Sequence, residues 1–285
     1  MLKVVIWDVQ HGSAAYIRTP NGTHIVQDLG TGDISSNSEE FSPLLHLKKE
    51  YKVERLHYVI ITHPHKDHID DILNFYELTP YVLGRPKHLT KDDILKANKN
   101  DSNEKLNKYF EINDHYNSPV DDSTNPTLPQ NNGNVKIKVY TPNRCDVSNI
   151  NNHSMVVIYE YGNRKIIIPG DNEPPSWEEL LESESFIENI KNTDIFVAPH
   201  HGRESAYFSD LFKFFTPSLT IISDGPCDSS AVSKYSAISK GFYVKHRDGR
   251  TEERKCLTTR KDGAIYIAFN LSDQEINASI SVSIE

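Results

Sequence analysis

The chain has 285 residues, enough for one layered α/β unit with a large core. Hydrophobic residues make up 37% and charged residues 25%, and no apolar run approaches the roughly 18 residues that a membrane span requires. The formal net charge of −9, from 31 basic and 40 acidic residues, repels polyanions at long range, so any contact with nucleic acid has to come from local patches.

The N-terminal "MLKVVIWDV" alternates and enters a strand directly, without the pattern of a signal peptide, and the expectation is a cytoplasmic protein. Cys145, Cys227 and Cys256 form no C-x-x-C pair; this fits a reducing compartment and small packing residues rather than a thiolate site. Leu2 to Val9, Ala14 to Thr19 and Thr23 to Leu29 alternate with strand period around "HGS" and "PNG", which reads as a meander. Glu39 to Tyr51 reads as a short helix with Pro43 near its start, and "ERLHYVIIT" as a strand that delivers "HPHKDHIDD" to a turn. A helix is expected from Asp67 or His68, because Ile69, Ile72, Leu73 and Tyr76 recur at helical spacing. Asp70 and Asp71 then read as helix N-terminal charges.

Residues 84–134, rich in Lys, Asn, Asp and Ser, read as a polar insertion with one helix and a loop, and partial disorder is expected there. Strands follow in "VKIKVYTP", "MVVIYEYG" and "RKIIIPGD", then a helix in "SWEELLESESFIENIK", the strand "DIFVAPHHG", a helix in "SDLFKFF", and strands in "LTIISDG", "AIYIAFN" and "ASISVSI". Strands dominate early and βα units recur later, so the prediction is an α/β single domain over residues 1–285, with two sheets covered by helices.

Chemistry concentrates in H-x-H-x-D-H. His63 and His65 can project to one side of a turn, while Asp67 and His68 open the helix. Imidazoles and a carboxylate suit zinc, manganese or iron, and a strand-end turn holds them without burying bare charge. One turn cannot complete two metal shells, and Asp171, His201 and His153 stand at the ends of other strands.

"THPHKDH" resembles the T-H-x-H-x-D-H signature of the metallo-β-lactamase fold, and "IPGDNE" and "APHHGRES" resemble its later motifs. "WDVQHGSA", "QDLG", "NNHSMVV" and "APHHG" are similar to the ComEC-related branch, although Gln10, His11, Gly12 and Ser13 stand where that branch has G-Q-G-D, so an acidic group is missing from the turn. The resemblance implies a four-layered αβ/βα sandwich of two mixed β-sheets flanked by helices. It also implies two divalent ions, Zn2+ or Mn2+. His63, His65 and His153 would hold one ion and Asp67, His68 and His201 the other, with Asp171 bridging and with Asp67 and Asp171 as the catalytic carboxylates. Asp8, Asp28 and His200 are candidates for orienting ligands, and Arg203 and Ser205 for meeting substrate.

Two divalent ions about 3.5 to 4 Å apart can share a water and lower its pKa, so hydrolysis through a bridging hydroxide is the expected reaction, and it suits phosphodiesters. The branch points to a nuclease or other phosphodiesterase acting on DNA or RNA. Alternatives are a small-ester hydrolase of lactonase or choline-phosphate esterase type, or a non-catalytic metal-binding regulatory module. From Lys240 to Lys261, eight basic residues face three acids, a local balance of +5 that reads equally as a solvated hairpin face or a phosphate-contacting surface. A chain that cuts nucleic acid in its own compartment needs restraint, so a gating protein partner is expected.

Overall fold

A computed structural model describes residues 1–31, 41–99, 104–225, 230–272 and 274–284. Fifteen strands are present among them: β1 Leu2–Ile6, β2 Ala15–Arg18, β3 His24–Gln27, β4 Tyr58–Ile60, β5 Val82–Gly84, β6 Lys136–Tyr140, β7 Val156–Tyr161, β8 Arg164–Ile168, β9 Ile195–Val197, β10 Leu219–Ile222, β11 Phe242–His246, β12 Thr251–Arg254, β13 Cys256–Thr258, β14 Ile265–Asn270 and β15 Ser279–Ile284. They form a nine-stranded sheet, β12-β11-β15-β14-β1-β2-β3-β4-β5, and a six-stranded sheet, β13-β10-β9-β8-β7-β6. Both are mixed. The expected meander is the antiparallel run β1, β2, β3, after which β4 and β5 join in parallel.

Strand alternation decides which face goes where. In β1, Leu2, Val4 and Ile6 enter the core between the sheets, against Val157, Tyr159, Ile166 and Leu219 of the second sheet. Val5 of the same strand faces outward and joins Trp7, Tyr16 and Val26 under Leu44, Leu47, Phe75 and Tyr109. On the far side, Val156, Ile158 and Phe196 pack against Trp177, Phe186 and Tyr235. The result is helix, sheet, sheet, helix, as the alternation predicts. Each buried large aliphatic contributes about 1.5–3 kcal/mol of transfer free energy.

Several helices are shorter than their sequence periodicity suggests. The segment after the histidine turn is one α-helical turn, Lys66–Ile69, followed by a 3₁₀ helix, Asp70–Glu77. Asp71 faces inward from this segment. It is 2% exposed, accepts from Ser42 Oγ at 2.7 Å and Leu44 N at 2.8 Å, and so secures the start of the helix Pro43–Lys49. It is thus a buried structural carboxylate, not a surface charge on a helix dipole. Asp70 instead pairs with Lys105 at 2.8 Å.

"SWEELLESESFIENIK" divides into Pro174–Leu180 and Glu184–Ile190, because Ser183 caps the second helix by accepting from Phe186 N. "SDLFKFF" is a 3₁₀ turn, Ser209–Lys213. Within 84–134 there are two α-helices among the described residues, Lys91–Ala97 and Glu104–His115, and a 3₁₀ helix, Pro129–Asn132; the second α-helix buries Leu106, Tyr109, Phe110 and Ile112. The polar insertion is therefore part of the helical layer. Cys256 is buried and Cys145 half-buried, as packing residues should be; Cys227 lies outside the described residues.

Candidate metal centre

Parallel strands deliver their carboxyl ends to one edge, and loops that leave that edge can converge. β4 runs into Thr62 and His63, β8 into Gly170 and Asp171, and β9 into His200 and His201. Gly170 has φ +62°, and a Cβ there would meet Thr62 and Ser154 at 2.8 and 2.9 Å, so only glycine lets the Asp171 loop close on the histidine turn. His200 and His201 are also left-handed, at φ 48° and 54°, a strained pair of the kind found at functional sites.

Asp67, His68, Asp171 and His201 each place a donor atom within 4.8 Å of all the others. His201 Nε2 lies 3.0 Å from Asp67 Oδ2 and 3.6 Å from Asp171 Oδ2, and His68 Nε2 lies 3.2 Å from Asp171 Oδ1. His63 Nε2 approaches Asp171 Oδ2 at 3.9 Å and His65 Nδ1 at 3.0 Å. His200 Nε2 is also 3.9 Å from Asp171 Oδ2. Asp171, fully enclosed, is the hub at which these side chains meet.

The remaining ring nitrogens are occupied in a way that fixes which atom faces inward. His68 Nδ1 is held by Asp28 Oδ2 at 2.9 Å, and Asp28 is locked by Thr62 N at 2.8 Å and Thr62 Oγ1 at 2.9 Å. His63 Nδ1 meets Ser154 Oγ at 3.1 Å, His201 Nδ1 donates to Ser223 O at 3.0 Å, and His200 Nδ1 pairs with Glu173 Oε1 at 3.0 Å. The inward atom of His68, Nε2, is buried and makes no hydrogen bond. An orphaned nitrogen aimed at two carboxylates fits a divalent cation, whose charge would also relieve the crowding of Asp67 and Asp171.

The imidazoles and carboxylates of the cluster also shift one another's protonation. Burial holds the His63 imidazole well below its ordinary range, and the neighbouring His68 and His65 push it further down. Burial also opposes charge on His68, but Asp171, Asp28 and Asp67 outweigh it and raise the imidazole well above the ordinary value. His201 is raised in the same way, by Asp171 and Asp67 against burial. Asp67 and Asp171 are pulled below the carboxylate range despite burial, chiefly by His68 and His201.

Other expected residues lie outside the group of Asp67, His68, Asp171 and His201. His153 is fully buried, with its Nδ1 2.9 Å from His88 Nε2 and 3.3 Å from Pro142 O, while its Nε2 is buried and makes no hydrogen bond. Asp8 accepts from Gln10 N at 3.1 Å and supports the turn after β1. Ser205 is exposed in the turn Glu204–Ala206. Arg203 is half-buried close enough to act electrostatically on His11, and no carboxylate pairs with it among the described residues. In the basic stretch, Arg254 is committed to Asp262 at 3.0 Å, whereas Lys245 and Arg247 line a surface pocket of about 490 Å³ with Tyr266 and Ser283.

Sequence reading missed His11, Ser154, Glu173 and Ser223. Glu173 and Ser154 sit inside quoted motifs, so proximity to a ligand was the available signal. Ser223 acts through its carbonyl, for which no residue type is diagnostic.

Residues 7–143 match the family model of the metallo-beta-lactamase superfamily. Solved structures similar to this chain include YhfI from Bacillus subtilis, a metallo-beta-lactamase fold protein, at 14% identity over 84% of this chain and 93% of that one, with a TM-score of 0.45. Another is a diphosphatase from the PhnP family, at 10% identity over 95% of this chain and 99% of that one, TM-score 0.46. Human tRNase Z, short form, matches at 13% identity over 78% of this chain and 93% of that one, TM-score 0.39. No curated protein sequence matches. The two mixed sheets with flanking helices are the metallo-β-lactamase fold, and the matched residues contain the His63 to His68 turn.

Proposed function

On the premise that the chain carries a metallo-β-lactamase superfamily domain, which implies divalent metal ions, we propose that it is a dinuclear metal-dependent hydrolase of phosphodiesters, with DNA or RNA as the substrate class. The observation that carries the reading is Asp171 at the meeting point of two donor sets, His63 with His65 and Asp67 with His68 and His201. When bound, the ions supply Lewis acidity and an activated water.

The protein's own contribution is positioning. Asp28 sets the tautomer of His68, the Ser223 carbonyl that of His201, and Glu173 that of His200. Asp67 and Asp171, both drawn below the carboxylate range beside His68 and His201, offer anionic donors. Arg203, with no carboxylate partner among the described residues, presents a guanidinium to a phosphate oxygen near the cluster. Support for a phosphodiester over an uncharged ester comes from this cation and from Lys245 and Arg247 on the pocket below the β11–β12 hairpin. The ComEC-related branch, a cytoplasmic location and a gating partner belong to the same proposal.

The test begins with metal content, expected near two transition-metal ions per chain. A panel of linear and circular DNA, RNA, bis-p-nitrophenyl phosphate and a lactone, with Mn2+ or Zn2+, follows. Phosphodiester cleavage that disappears in both Asp171→Ala and His68→Ala supports the reading. Cleavage of the lactone alone transfers the chain to the small-ester class, and full metal loading with no turnover on any substrate favours a regulatory module.

A further inference from the structure

The turn after β1 brings a histidine to the metal centre that no motif assigns. His11 Nε2 lies 3.6 Å from Asp67 Oδ2, and its ring centroid is 4.9 Å from that of His201 at an angle of 45°. Donors held at about 2.0–2.1 Å around one ion are themselves about 3 to 3.5 Å apart, so the His11 nitrogen stands close to a coordination edge shared with Asp67. The approach is built by the backbone. Gly12, at φ +149°, would place a Cβ 2.8 Å from the Asp67 carbonyl, and a Cβ on Gly225 would meet His11 N at 2.8 Å. Ser13 N donates to that same Asp67 carbonyl at 3.3 Å. Ser223 joins the two sides: its carbonyl holds His201 Nδ1, while its hydroxyl donates to Gly12 O at 2.9 Å.

We propose that His11 Nε2 is a further ligand of the ion held by Asp67, His68, Asp171 and His201, giving that ion a fifth protein donor from the turn that lacks the acidic group of its branch. The inference rests on the metal-centre reading above. His11 is 47% exposed at its side chain, so this donor stands on the solvent side of the cluster. A fifth donor, the third nitrogen, also raises the coordination number that the site can offer beyond four, which favours Mn2+ or Fe2+ over strictly tetrahedral Zn2+.

The experiment is Co2+ titration of metal-free wild type, His11→Ala and His11→Gln, followed by visible absorption and by competition with a chromophoric chelator. In both variants one of the two ions is expected to bind at least about tenfold more weakly, with stronger d–d absorption as five-coordinate Co2+ becomes four-coordinate. Circular dichroism checks that the variants are folded, and the glutamine variant keeps a polar side chain in the turn should alanine disturb it. Spectra and both affinities identical to wild type in a folded variant overturn the role of His11. Failure of wild type itself to take up Co2+ overturns the metal centre, which is a separate outcome.

Discussion

Asp28 offers the sharpest test of how this centre is organised, because it touches no inward-facing donor atom and yet controls one. Its carboxylate is fully buried and accepts from Thr62 N, from Thr62 Oγ1 and from His68 Nδ1. In Asp28→Asn the shape is retained, and the left-handed backbone at φ 59° suits asparagine, whereas alanine would add strain there. The Thr62 N–H needs an oxygen, so the amide oxygen stays on that side and the NH2 group turns to His68. Nδ1 must then accept, and the neutral imidazole carries its proton on Nε2, the atom aimed at Asp171. Loss of such an orienting carboxylate weakens metal binding about 10- to 100-fold, or about 1.4–2.7 kcal/mol. Competition for Zn2+ or Mn2+ against a chromophoric chelator measures it, with circular dichroism to verify the fold. An Asp28→Asn protein that is folded and binds both ions within about twofold of wild type refutes the tautomer argument.

Three further predictions address other parts of the molecule. Asp71→Ala removes the acceptor of Leu44 N and Ser42 Oγ, and is expected to lower stability by about 1–3 kcal/mol in urea denaturation without changing metal affinity; a change in affinity alone would contradict its structural role. His24, bonded to Tyr16 Oη at 2.6 Å, is pushed down to about 4 by burial, by His57 and by Arg18. Between its ordinary 6.5 and about 4, the unfolded chain binds the extra proton, so stability falls as pH drops through that window. In His24→Gln the difference between the urea midpoints at pH 7 and pH 5 should shrink, and an unchanged difference would exclude His24 as a contributor. Lys245→Glu with Arg247→Glu should raise KM for DNA and flatten its salt dependence while leaving kcat on bis-p-nitrophenyl phosphate unchanged, and equal effects on both substrates would remove the pocket from substrate binding.

Most strands and their order along the chain were legible, either from a period of two or from short apolar runs bounded by Gly, Pro and Asn, whereas the three-residue strands β5 and β13 were not. Helix lengths were less so. Ile69, Ile72, Leu73 and Tyr76 describe a continuous helical stripe, but the chain tightens to 3₁₀ after Ile69, where Asp71 turns inward to cap a helix 27 residues earlier. Nothing local announces that bond. Residues 84–134 show the converse error, since a polar composition hid the four apolar side chains that Glu104–His115 buries in the helical layer.

The metal centre divides along the same physical line. Asp67, His68, Asp171 and His201, whose donor atoms converge, could be singled out in sequence together with His63 and His65 because imidazole and carboxylate are costly to bury without a purpose, and each stands near a strand end. What decides the use of each nitrogen is of another kind: a serine hydroxyl at position 154, a carbonyl at position 223, and a threonine at position 62 that locks Asp28. These are common residues acting through common atoms, specified only once the two sheets are stacked. His153 illustrates the consequence. Its place in "NNHSMVV" made it a ligand by motif; the fold points its Nδ1 at His88 and leaves its Nε2 buried without a hydrogen bond, while the neighbouring Ser154 reaches His63 and Asp171 N. A metal-binding assay on His153→Ala therefore separates motif from geometry: loss of one ion restores the motif reading, and retention of both assigns His153 to the packing against His88.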